Sequence, residues 1–330
     1  DIYQKNPNHP GAAHYIIHAF DDPDHAILAL PAARRYASIA PEAHHARHMP
    51  SHIFLQLGMW PETAASNEAA WESSDAWMKR KNLSLSVRDY HSLHWLMYAY
   101  LQQNRYDDAE KLLKLMKKVM SESTYDNKLR PGYYENNYAN MAAAFVVETE
   151  RWNLANELFP ENKPASTSEQ ATMSGSHGSH NAMASGNGSA TVRMSSASVM
   201  LPLFIRGLAA AMDGSAAVVE QSIAGLRAIR GGRNSTTAEI FELEIAALSA
   251  STKKDHAKAI ELMKKATTLE ESMSPPYGPP GLIKPSHELF GEILLRAGKP
   301  AEAAEQFKVA LQRQPNRARS LLGLESAAKR

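Results

Sequence analysis

Leu101-Gln-Gln-Asn104-Arg-Tyr106-Asp-Asp-Ala-Glu-Lys-Leu-Leu113 contains the end of one helix and the start of the next. Asn104 tolerates the left-handed backbone that stops a helix. The aromatic Tyr106 follows, and Asp107 and Asp108 set negative charge beside the exposed amides of a new helix N-terminus. The phrase returns at Gly58-Met-Trp60-Pro-Glu-Thr-Ala64, Glu150-Arg-Trp152-Asn-Leu-Ala155 and Gly298-Lys-Pro300-Ala-Glu-Ala303. Weaker copies stand at Asp22-Pro23-Asp-His-Ala26 and Lys254-Asp-His256-Ala-Lys-Ala259. Markers at 23, 60, 106, 152, 256 and 300 are spaced by 37, 46, 46, 104 and 44 residues. The long gap has room for one more helix pair, which 199–229 supplies with a turn at Asp213-Gly214. Seven helical hairpins of about 35–48 residues result, each too thin to bury its apolar stripe alone and therefore stacked in series.

Composition agrees with this reading. Of 330 residues, 44% are hydrophobic and 22% charged, which is ordinary globular usage. The 17 glycines and 18 prolines punctuate segments rich in alanine, leucine, glutamate and lysine, with almost no alternation of period two, so strands are not expected. Lysine plus arginine (36) nearly balances aspartate plus glutamate (35), which argues against an extended nucleic-acid face. The longest apolar run, 141–147, falls far short of the ~20 residues that cross a bilayer, so no membrane span is expected. The lack of cysteine excludes disulfides, thiolate metal sites and cysteine nucleophiles. The start at Asp1, with neither an initiator methionine nor a signal-like segment, reads as a processed or trimmed product. The cysteine-free composition, with the methionines and histidines between 173 and 183, suggests a periplasmic or otherwise exported address.

The stretch from Phe290-Gly-Glu-Ile-Leu-Leu-Arg-Ala-Gly298 through Ala303, Phe307 and Ala310 to Pro315 carries small, aromatic and proline residues in the order of one known repeat. On these residues the chain resembles tetratricopeptide repeat (TPR) proteins, over most of 10–160 and 197–325. The resemblance implies an all-α, TPR-like α-solenoid whose concave groove receives a peptide, a protein or a small polar ligand. Several intervals exceed the family's 34-residue unit, so some helices or connections must be extended. His9-Pro-Gly-Ala-Ala-His14-Tyr-Ile-Ile-His18 and His48-Met-Pro-Ser-His52-Ile-Phe further resemble a histidine-rich group of bacterial TPR proteins.

Three parts are expected: hairpins with the histidine cluster over 1–160, an insert over 161–196, and hairpins with a capping helix over 197–330. Within the insert, 172–191 holds five serines and four glycines and no apolar period, the composition of a mobile segment. Its Met173, His177, His180 and Met183 also suit a loose soft-metal tether. Ser274-Pro-Pro-Tyr-Gly-Pro-Pro-Gly281 cannot be helical and reads as a stiff connector.

Histidine is the unevenly spread residue. Eight of 14 (His9, His14, His18, His25, His44, His45, His48 and His52) fall in the first 52 positions, where an even spread would place about two. His14/His18 and His48/His52 are four apart, which on a helix sets both imidazoles on one face about 6 Å apart. The two pairs are offset by 34 residues, the TPR unit length, so both point to one inner surface. His91 and His94 repeat the pattern at spacing three. His14, His18, His48, His52, His91 and His94 are therefore the candidate ligands of a transition-metal ion. Imidazole without thiolate favours copper or zinc over iron or nickel. A helix opening at Pro50, as the echo Pro285-Ser-His287 suggests, would leave His48 outside it and make His14/His18 the firmer pair. Asp21, Asp22, Asp24 and Asp89 are available as a carboxylate ligand or to orient imidazoles.

Known catalytic signatures are missing: His287-Glu288-Leu-Phe-Gly291 has glycine where a zincin helix needs its second histidine. Neither a nucleophile elbow nor a phosphate-cradling loop occurs. After Pro131, Tyr134, Asn137, Tyr138 and Asn140 lie at helical spacing and suit the binding of a peptide or polar ligand. Three functions remain: a metal-binding TPR protein, a metal-dependent enzyme using the same histidines, or a metal-free interaction scaffold.

Overall fold

The computed structural model describes residues 2–121, 132–160, 197–230 and 235–330. The expected insert, with Met173, His177, His180 and Met183, lies outside the described residues. Among the described residues every regular element is helical, and no strand occurs. The first half runs α1 (Ile2–Lys5), α2 (Pro10–Ala19), α3 (Ala26–Ile39), α4 (His44–His48), α5 (Pro50–Gln56), α6 (Trp60–Arg80), α7 (Tyr90–Gln102), α8 (Tyr106–Ser121), α9 (Tyr133–Thr149) and α10 (Ala155–Leu158). The second half runs α11 (Ala197–Asp213), α12 (Ala216–Ala228), α13 (Ser235–Thr252), α14 (His256–Glu271), α15 (Ser286–Arg296), α16 (Pro300–Arg313) and α17 (Ala318–Ala328).

The turns between helices share one construction. Gly58, Asn104, Gly214, Lys254 and Gly298 all have φ between 56° and 86°. Just past each, the amides of Met59, Arg105, Ser215, Asp255 and Lys299 donate to the carbonyls of Phe54, Tyr100, Ala210, Ala250 and Leu294 at 2.8–2.9 Å. That bond closes five residues back and satisfies carbonyls which a helix end would leave orphaned. Each helix after such a turn packs on its predecessor: α6 on α5, α8 on α7, α12 on α11, α14 on α13 and α16 on α15. Helices two apart pack as well, α7 on α9, α9 on α11, α11 on α13 and α13 on α15.

Two main cores and a small cluster of Leu55, Trp60, Trp95 and Tyr98 follow from this packing among the described residues. The larger runs from Ala64 to Ala327 and includes α9 and α11, which flank the insert. The smaller belongs to α2–α5 and is alanine-dense: Ala13, Ala26, Ala29, Ala33 and Ala46 are buried there with Ile17, Met49 and Ile53. Methyl side chains let these helices approach closely, which brings the histidines beside them into one place. No described helix is long and apolar enough to cross a membrane.

The chain also returns on itself. Residues 272–285, between α14 and α15, form no helix, as their prolines require. The Pro276 carbonyl accepts from Gln56 Nε2 of α5 at 2.7 Å, and Gly278 lies so close to the Trp95 indole of α7 that a Cβ there would stand 2.3 Å from Cζ2. Beyond this strap, Trp60 Nε1 donates to the Asn316 carbonyl at 2.8 Å, and the Ala318 amide to Gln102 Oε1 at 2.9 Å.

Candidate metal centre

His48 ends α4 and His52 lies in the first turn of α5. The expected break at Pro50 does not separate them. Met49 keeps a right-handed helical backbone (φ −51°, ψ −38°) and its amide still donates to the His45 carbonyl at 3.0 Å. The two rings therefore meet as an i, i+4 pair, with Nε2 atoms 3.2 Å apart. His91 comes from α7, whose N-terminus is capped by Asp89: the carboxylate accepts the Ser92 amide at 3.1 Å. This cap holds His91 in the first turn, where its Nε2 lies 3.0 Å from that of His48. Metal–imidazole bonds of about 2.0–2.1 Å in a tetrahedron give nitrogen separations near 3.3 Å. The His48–His52 and His48–His91 edges are already close to that spacing, and the ligand atoms of all three residues lie within 4.8 Å of one another.

Their outer hydrogen bonds decide which atoms face inward. Asn67 of α6 donates its amide to the Thr63 carbonyl at 2.8 Å, which leaves its Oδ1 to accept from His48 Nδ1 at 2.7 Å. His52 Nδ1 donates to Asp21 Oδ2 at 2.6 Å, and Gln56 Nε2 steadies the other carboxylate oxygen at 3.1 Å. With Asp21 ionised, both Nδ1 atoms carry protons and the Nε2 atoms of His48 and His52 present lone pairs to each other. A proton from His91 can satisfy its own edge with His48, but the His48–His52 edge remains lone pair against lone pair. A cation among the three nitrogens satisfies every edge at once.

The surroundings keep the imidazoles neutral, as metal ligation needs. Burial lowers the pKa of His48 and His52 well below the ordinary value, and the nearby charge of His91 lowers them further. Burial also lowers His91, against the pull of Asp89. Asp21 is pushed up to about 7 by burial, opposed by the Gln56 hydrogen bond and by His18. A cation bound across His52 favours the carboxylate and reverses that balance. Burial would also raise Asp89, but hydrogen bonds from His44 and Ser92 hold its carboxyl below the usual range. The Trp95 indole walls the pocket, 4.8, 4.5 and 5.4 Å from the ring centres of His48, His52 and His91.

Two groups of three can hold an ion among the described residues: His48, His52 and His91; and His18, Asp21 and His52. They share His52. The second is better read as support for the first, because 2.6 Å between His52 Nδ1 and Asp21 Oδ2 is a hydrogen-bond distance. Of the remaining candidates, His14 pairs its Nε2 with that of His45 at 3.2 Å. His18 sets its ring 4.7 Å from His14 and 5.5 Å from His52. His94 belongs to neither group, and burial lowers its pKa to about 3. Asp22 accepts from the Asp24 and His25 amides at 3.0 Å and closes the α2–α3 turn.

The tyrosine–asparagine stretch lies elsewhere, on α9. Tyr134 is buried edge-on to Tyr90, and its hydroxyl donates to the Ser86 carbonyl at 2.5 Å. Asn137 and Asn140 donate to the carbonyls of Tyr133 and Asn136 in their own helix, and Tyr138 packs half-buried on the larger core.

The sequence reading missed His45, Asn67, Gln56 and Trp95. His45 carried a signal, since it stands three before His48 and shares its face. Gln56 and Trp95 carried the same kind of signal, four residues after His52 and His91, and Asn67 gave none. No protein-family model matches the chain, and no curated protein matches it either.

Proposed function

We propose that this chain is a TPR-like metal-binding protein in which Nε2 of His48, His52 and His91 hold one transition-metal ion, copper or zinc. The carrying observation is the convergence of His48 and His52 Nε2 at 3.2 Å beside His91, with Asn67 and an ionised Asp21 turning the lone pairs of His48 and His52 inward. The recurrent left-handed turns and the 34-residue offset of the histidine pairs support a TPR-like stacking of helix pairs. Three imidazoles leave a fourth position, on the side where His18 and His45 are exposed. A small polar ligand or peptide end entering there is the partner this arrangement suits.

The open position also favours a second reading, metal-assisted catalysis, since Lewis-acid chemistry needs three protein ligands and an exchangeable site. The first test uses untagged protein dialysed against Zn2+ and then against metal-free buffer. Wild type should retain zinc, and His48→Gln with His52→Gln should lose it while keeping the helical circular dichroism. Zinc-free wild type, or a variant that retains it fully, would overturn the proposal. With Co2+ in the site, azide should shift the visible spectrum if the fourth position is open; an unmoved spectrum removes the catalytic reading.

A further inference from the structure

We infer that the protein binds a second divalent copper or zinc ion beside the first, held by His14 and His45 and completed by His18. This rests on the single-ion reading above and extends it to a two-ion centre. His14 and His45 are 31 residues apart and belong to different helices, α2 and α4, so no local spacing forces their rings together. Their Nε2 atoms nevertheless stand 3.2 Å apart, the same separation as in the His48/His52 pair. That matches two corners of a ligand tetrahedron.

His18 is one turn along α2 from His14, with ring centres 4.7 Å apart and edge-on. In its present rotamer its nitrogen faces Asp21 and His52, and the side chain is exposed. Completing the His14/His45 pair therefore requires His18 to take a different side-chain rotamer. The trio is continuous with the first centre. His18 stands 5.5 Å from His52, and His45 stacks 6.3 Å from His48. Asp21 and Asp89, which bond His52 and His44, put two carboxylates close enough to offset the charge of paired cations.

The donor chemistry separates the two sites. Two of the inner three, His48 and His52, are buried and the exposed His91 lies against Trp95, whereas His18 and His45 are exposed and His14 is half-buried. The outer ion should therefore be the weaker and the faster to exchange.

The test is equilibrium dialysis of untagged protein against graded free Zn2+, with metal and protein counted in each sample. Wild type should saturate at two ions per chain, the second about tenfold or more weaker. His14→Gln with His45→Gln should saturate at one, with the tight step unchanged. The single variant His45→Gln, at an exposed position, should show the same loss and guards against a folding artefact in the double variant. Saturation of wild type at one ion overturns the second site and leaves the first standing. Two ions retained in the His14/His45 variant overturn the ligand assignment. No bound zinc in wild type overturns both this inference and the reading it rests on.

Discussion

The pocket of His48, His52 and His91 and the cluster around Arg317 both gather polar groups in or against the interior, but only the second sets opposite charges against each other. Arg317 is fully buried and gives Nε to Glu288 at 2.8 Å, a terminal nitrogen to Tyr98 at 2.8 Å and another to Glu148 at 2.7 Å. Lys284 adds contacts to Glu288 at 3.0 Å and Glu292 at 2.5 Å, and the Ser320 hydroxyl donates to Glu288 at 2.7 Å. Donors meet acceptors, and Glu288 is held far below its ordinary pKa by Arg317 and Lys284, despite a burial that would raise it. In the histidine pocket, acceptor meets acceptor. Matched charge marks a structural cluster. Lone pairs pinned face to face mark a place for a cation.

The largest effect should come from breaking the matched cluster. Arg317→Leu strands Glu288 and Glu148 in the interior and should cost about 3–5 kcal/mol in urea unfolding. The histidine pair should behave oppositely. His48→Gln with His52→Gln should leave metal-free stability nearly unchanged. It should abolish the gain of about 4 kcal/mol that Zn2+ at a thousandfold its Kd gives wild type. Equal losses with and without zinc would make the two regions alike and undo the comparison.

Smaller changes sharpen it. Asp21→Asn keeps the shape but weakens the acceptor behind His52, and should reduce zinc affinity 10–100-fold with little change in fold. Gly278→Ala drives a methyl into the Trp95 indole. It should cost about 1–2 kcal/mol by overpacking and weaken zinc binding as well, because Trp95 lies against all three ligands. Tyr134→Phe, in the tyrosine–asparagine stretch of α9, removes one hydrogen bond to Ser86 and should cost only about 1 kcal/mol, with zinc binding intact.

What could be read beforehand was local. Gly58, Asn104, Gly214 and Gly298 announced left-handed turns because glycine and asparagine adopt that backbone cheaply, and Lys254 took it within a recognised phrase. His48 and His52 were legible from spacing alone. A helix does open at Pro50 with His48 before it, but the helical turn that precedes the proline keeps His48 aligned with His52. What escaped was long-range. Asn67 reaches His48 from α6, and the proline strap reaches Gln56 across 220 residues. The approach of Asn316 to Trp60 spans 256. No periodicity encodes such contacts. They depend on how many helix pairs intervene and how each turns the next.

X-ray absorption at the zinc edge of untagged protein loaded with one equivalent is the most direct measurement. Three imidazole nitrogens at about 2.0–2.1 Å plus one exchangeable oxygen ligand is the predicted shell. A shell of oxygens alone, or one unchanged when His48, His52 and His91 are replaced, would contradict the account.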